Sequence, residues 1–127
     1  MVYLFYNCNS LKYLNISKLN TYSVHDMNNM FFSCSQLTSL HLSNFDTSSV
    51  ITMYDMFYGC SQLISLDLSN FATGKVKNMK GLFRDCSKLE YINLSSFNTS
   101  SVEIMIDMFY DCNSLKSLDL SSFNTKN

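Results

Sequence analysis

Between residues 37 and 60 the hydrophobic period of the chain changes. In "LTSLHL", Leu40 and Leu42 alternate with Ser39, His41 and Ser43. A period of two predicts a short strand, three to five residues long, with one apolar side. Further on, Val50, Met53, Met56, Phe57 and Cys60 fall at i, i+3, i+6, i+7 and i+10. That spacing predicts a helix of about ten residues with one buried face. Thr47, Ser48 and Ser49 precede it as N-cap candidates, and Ser100 with Glu103 has capping-box spacing at the corresponding place later in the chain. Asn7, Ser33, Gly59, Asp85 and Asp111, the residues before the cysteines, suit left-handed backbone and are expected to close each helix.

The same pattern recurs every 26 residues. Cys8, Cys34, Cys60, Cys86 and Cys112 keep this step, and so do Phe5, Phe31, Phe57, Phe83 and Phe109. Leu14, Leu40, Leu66, Ile92 and Leu118 form a third column, Leu19, Phe45, Phe71, Phe97 and Phe123 a fourth, and Thr21, Thr47, Thr73, Thr99 and Thr125 a fifth. A unit this short has too little interior to bury its own apolar surface, so neighbouring units must stack and share a core. The expected organisation is one domain over residues 1–127, with repeats at 1–26, 27–52, 53–78, 79–104 and 105–127. The expected fold class is α/β: a solenoid of about five coils, each a short parallel strand plus a short helix. Both ends present apolar positions without a polar cap, so further repeats at either end, or end-to-end association, are expected.

The spacing in "LTSLHL" and "LISLDL" resembles that of leucine-rich repeats, and the unit "MYDMFYGCSQLISLDLSNFATGKV" resembles the BspA-like class of bacterial surface leucine-rich repeats. The resemblance implies a leucine-rich repeat solenoid at a cell surface or secreted, with adhesion or partner binding through its strand face. Where many leucine-rich repeats place an inward Asn ladder, this chain places Leu19 and the Phe45 column. Backbone groups at that turn then need other partners, and the column Ser17, Ser43, Ser69, Ser95, Ser121 is the candidate supplier.

Composition narrows the field. Net charge is −1, which leaves no basic field for nucleic acid. No apolar run approaches the ~20 residues of a membrane helix. The opening "MVYLFYNCNS" lacks the basic start and long apolar core of a secretory signal. The compartment therefore rests on the resemblance, and an intracellular scaffold is the alternative, since reduced thiols suit a reducing compartment.

Five cysteines in register on an apolar face read as buried free thiols. A zinc site needs four converging ligands, which a linear column spreads apart. No metal or other cofactor is expected. His41 and Asp67 share a column in adjacent repeats, the arrangement of a base and its orienter, but no nucleophile motif accompanies them and a solvated surface pair explains them better. The chain is read as non-enzymatic. The outward strand residues are the candidate partner-binding set: Tyr13, Ser39, Ser65, Tyr91 and Ser117 in one column, and Asn15, His41, Asp67, Asn93 and Asp119 in the next. Tyrosine anchors interfaces at low entropic cost, and the expected partner is a protein or matrix component. A second column, Tyr6, Phe32, Tyr58, Arg84 and Tyr110, adjoins the buried Phe column and is read as packing more than as a binding row. A structural spacer within a longer array is the alternative role.

Overall fold

The stretch with helical spacing folds as a run of overlapping turns. In the third repeat, Met56 N–H donates to Met53 O at 3.2 Å, Tyr58 to Asp55 at 3.2 Å, Cys60 to Phe57 at 3.1 Å and Leu63 to Cys60 at 3.1 Å. The intervening N–H groups leave the repeat altogether. Those of Met53, Asp55, Phe57 and Gly59 donate to the carbonyls of Asn78, Lys80, Leu82 and Arg84 at 2.8–3.0 Å. An α-helix would direct every one of these donors back along its own axis. Here alternate donors run from one repeat to the next.

Backbone dihedrals explain why the helix does not form. Asp55 (φ 51°) and Gly59 (φ 69°) are left-handed, each at the third position of a turn, as type II geometry requires. Two left-handed residues four apart interrupt any right-handed helix. The feature recurs at Asn29 and Ser33, at Gly81 and Asp85, and at Asp107 and Asp111. The left-handed column expected before each cysteine is therefore present, but it closes a turn and caps no helix.

The computed structural model describes residues 1–124. Among these there is no helix, and the regular elements are two three-residue strands: β1 (Ser65–Asp67) and β2 (Tyr91–Asn93). The strands pair in parallel, Ser65 with Tyr91, Leu66 with Ile92 and Asp67 with Asn93. The expected α/β solenoid of strand-plus-helix coils is thus corrected: most of the chain is turn and irregular backbone, and the expected strand forms in only two repeats. What the period does produce is a stack of equivalent coils. Isolated parallel bridges link Asp26 to Thr52, Thr52 to Asn78 and Asn78 to Ile104, and the turn ladder continues at the same 26-residue step.

Like side chains lie over like inside this stack. Phe5, Phe31, Phe57, Phe83 and Phe109 form one column with ring centroids 5.4–5.7 Å apart and planes within 20°. Phe45 stacks on Phe71 at 6.4 Å and Phe97 on Phe123 at 6.1 Å. Met53, Met56, Leu63, Leu66 and Leu68 fill the space between the turns and the strand.

Buried threonines clip adjacent coils together. Thr73 Oγ1 donates to Asn98 O at 3.0 Å and accepts from Asn98 N–H at 2.8 Å. Thr21 does the same with Asp46, and Thr99 with Asn124. These threonines are no helix N-caps, and Thr125 lies outside the described residues. The capping box also dissolves: Ser100 N–H donates to Asn98 Oδ1, and Glu103 N–H to Lys77 O. The carbonyls beside the Phe45 column find partners one residue later than expected. Asn70 Nδ2 donates to Leu42 O and Phe45 O at 3.0 and 2.9 Å, and Ser96 Oγ to Leu68 O and Phe71 O at 3.0 and 2.8 Å.

Replacing Phe57 with Ala removes one ring from the centre of the column and leaves a cavity with coils on both sides. The expected loss is about 3–5 kcal/mol, read as a lower urea midpoint at unchanged slope. An unshifted midpoint would show that the column carries no stability.

Candidate functional site

All ten strand-face residues are exposed, and Tyr13 (78%) and Tyr91 (52%) project most among their aromatics. β1 and β2 bring Ser65, Asp67, Tyr91 and Asn93 together on one shallow groove of ≈ 280 Å³ that Ser117 also lines. Tyr13 stands three coils from Tyr91. Lys116 Nζ sits 5.2 Å from the Tyr91 ring centre and 2.6 Å from Glu90 Oε2, which makes a small charged collar around that ring.

Much of the second strand-face column is already engaged. Asn15, Asp67, Asn93 and Asp119 each accept, through Oδ1, the N–H of the residue two ahead, at 2.9–3.1 Å. This is the Asx-turn arrangement, in which a short polar side chain closes a turn by itself. The Ser69 and Ser121 donors hold the carboxyls of Asp67 and Asp119 below the usual range. His41 is exposed in the same column, and among the described residues no hydrogen bond joins it to Asp67. These four turn-closing side chains shape the end of the strand face.

The thiols are buried or half-buried and unpaired. Cys34, Cys60, Cys86 and Cys112 point their Sγ at the carbonyls of Phe5, Phe31, Phe57 and Phe83, at 3.0–3.3 Å. Burial pushes Cys34 and Cys112 up to about 11, and raises Cys60 and Cys86 too. A nucleophilic cysteine needs the opposite shift.

A more enclosed feature lies on the turn face. Tyr6, Phe32 and Tyr58 stack ring on ring, with centroids 4.8 and 4.6 Å apart and planes 18° and 8° from parallel. Arg84 continues the row as a planar guanidinium, 5.7 Å from the Tyr58 ring and 4.6 Å from Tyr110. The column expected mainly to pack therefore packs on itself and still lines an open groove of ≈ 470 Å³. Tyr3, Tyr54, Asp55, Lys80 and Asp107 share its lining. Arg84 Nη1 reaches Asp107 Oδ2 at 2.8 Å and Nε stands 4.0 Å from Asp85.

Sequence reasoning passed over the other half of this groove, the column Tyr3, Asn29, Asp55, Gly81 and Asp107. Its members are all left-handed, and the available signal was Asn, Asp or Gly standing four residues before a second such residue. Gly81 serves two purposes there. Its φ of 60° suits glycine, and a Cβ would collide with Asp55 Oδ1. Asp55 is almost fully covered, and desolvation raises its carboxyl although Lys80 and Arg84 oppose this.

The family described as "Mycoplasma protein of unknown function, DUF285" matches residues 1–91 and 63–127, so the matches together span the chain. The chain belongs to the DUF285 family. No curated protein and no solved structure matches it. The two overlapping matches of DUF285 are what a chain of equivalent coils should give, since its pattern can be laid on the repeats at more than one register.

The raised carboxyl of Asp55 fixes the sign of a pH effect. A carboxyl raised above its unfolded value of about 3.9 favours the protonated, folded state. It therefore lends stability below that value and withdraws it as pH rises through the folded value. Asp55→Asn, an amide like the buried Asn29 of the same column, is expected to raise the thermal midpoint at pH 7 and to flatten its dependence between pH 4 and 7. A lower midpoint at pH 7 would mean that the charged form stabilises the coil.

Proposed function

We propose that this DUF285 chain is a non-enzymatic interaction module that binds another protein or a matrix component through its strand face. The observation that supports this most directly is the alignment of its ten outward residues. All are exposed, and β1 and β2 hold four of them in fixed register. A surface pre-formed by stacked coils loses little conformational freedom on binding. Tyr13 and Tyr91 supply the large anchors, and serines supply small polar ground between them. The resemblance to BspA-like surface repeats favours adhesion as the wider role and a cell surface as the setting.

The reactive side chains give no support to catalysis. The thiols are turned toward carbonyls and raised, and Asp67 and Asp119 close turns. A spacer role is the competing reading, and the continuous Phe column, which stiffens the stack along its axis, favours it.

Replacing Tyr13 and Tyr91 together with Ala separates the two. Both rings are exposed, so the unfolding free energy from urea titration should stay within about 0.5 kcal/mol of the parent. Binding to a partner recovered with the parent chain is expected to fall at least tenfold, measured by surface plasmon resonance. Unchanged affinity in the folded double variant would remove the strand face from the interaction.

A further inference from the structure

We propose that the fifth coil binds the first coil of a second copy of this chain, so that copies join head to tail and the turn ladder runs from one molecule into the next. The contact lies across the two outer faces of the stack and not on the strand face, so it stands or falls independently of partner binding there.

The polarity of the backbone selects the occupant. Each coil gives N–H groups to the coil after it: Tyr3, Phe5 and Asn7 donate to the carbonyls of Asn28, Met30 and Phe32 at 2.8–3.2 Å. On the fifth coil the corresponding donors are Asp107, Phe109 and Asp111, and among the described residues no acceptor meets their N–H groups. On the first coil the carbonyls of Val2, Leu4 and Tyr6 hold the positions of Asn28, Met30 and Phe32, and among the described residues no donor meets them. One outer face therefore presents a row of three donors, and the other a row of three acceptors in the same sequence spacing. Two fifth coils set together would oppose donor to donor, and two first coils acceptor to acceptor. Only head-to-tail pairing completes the bonds that backbone groups require once water is excluded.

The side chains of these faces fit the same partner. Val2 and Ile106 stand at the two ends of one column, whose inner members Asn28, Tyr54 and Lys80 all carry polar groups. The outermost two alone are aliphatic, and they are 40% and 62% exposed. Head-to-tail stacking lays Ile106 over Val2 and withdraws both from water, which favours association. Leu4 is exposed too, whereas Met30 and Met56 of its column are buried. On the fifth coil Leu118 and Leu120 are exposed, whereas Leu66 and Leu68 are buried. A neighbouring coil covers these positions inside the stack, and the coil of a second copy would cover them here.

Charge agrees in sign. The first repeat has Lys12 and Lys18 against Asp26, and the last has Asp107, Asp111 and Asp119 against Lys116 and Lys126. Unlike faces attract and like faces repel. In the shared register Lys12 falls beside Lys116, whose Nζ is already engaged by Glu90 Oε2 at 2.6 Å. The contact is heterologous, so each added copy leaves one donor face and one acceptor face open, and the assembly lengthens without closing.

The test is sedimentation velocity on the 127-residue chain over at least a hundredfold range of concentration. The weight-average mass is expected to rise continuously, through dimer and trimer. Val2→Lys and Ile106→Lys each block one face, by setting an ammonium group against the aliphatic side chain of the other copy. Both positions are exposed, so at low concentration the unfolding free energy should be unchanged. Each variant alone is expected to stay monomeric. An equimolar mixture has one intact face of each kind, and is expected to form a dimer and nothing larger. If a lysine variant fails to fold, Leu4→Asp replaces the first and Leu120→Asp the second. A parent chain that stays monomeric throughout would overturn the proposal. Self-association of either single variant would do so by showing that like faces pair. A mixture that stays monomeric, or that grows beyond the dimer, would remove the head-to-tail register. Loss of growth in the Tyr13/Tyr91 double variant would place the contact on the strand face instead.

Discussion

Half of the backbone donors in the turn segment point out of their own coil, and the molecule depends on that. Met53, Asp55, Phe57 and Gly59 each give their N–H to a carbonyl 25 residues ahead, while the residues between them close local turns. A buried donor without an acceptor costs about 1–3 kcal/mol, so each coil needs its neighbour in register. Register in turn requires that side chains of the same size meet. The Phe column at 5.4–5.7 Å, the threonine clips and the Asn70 and Ser96 bridges are all ways of making one coil's surface fit the next.

The 26-residue period, the buried face and the unpaired thiols were legible in the sequence, because strict recurrence makes every unit report the same environment. The secondary structure was not. Val50, Met53, Met56, Phe57 and Cys60 have the spacing of a helix face, but overlapping turns also return a side chain to the same side every three or four residues. Periodicity alone does not separate the two. The discriminating positions were Asp55 and Gly59, both left-handed. Gly59 stands in a column read as a helix stop, whereas in the Asp55 column the leading Tyr3 breaks the run of Asn, Asp and Gly that marks left-handed backbone. The threonines were misplaced for a related reason: a hydroxyl before an apolar run suits an N-cap, and only the neighbouring coil reveals that Thr73 grips Asn98.

The candidate sites show the same division. The strand-face set was legible because alternation fixes which side a residue takes, and all ten residues are exposed. That Asn15, Asp67, Asn93 and Asp119 would close turns was not, since it depends on a serine N–H two residues on. The turn-face groove was half visible. Tyr6, Phe32 and Tyr58 stood out as an aromatic column, but a helix would have splayed them, whereas stacked turns bring them to 4.6–4.8 Å. Arg84 fits that row because a guanidinium is flat and stacks on rings.

The uniform step of the turn ladder also governs how such a chain can change in length. Inserting a single residue into one unit would shift every later donor off its acceptor and slide phenylalanine against a polar neighbour. Adding or removing a whole unit of 26 leaves each junction chemically the same. Growth by tandem duplication is therefore conformationally silent here, whereas slippage by one codon is not.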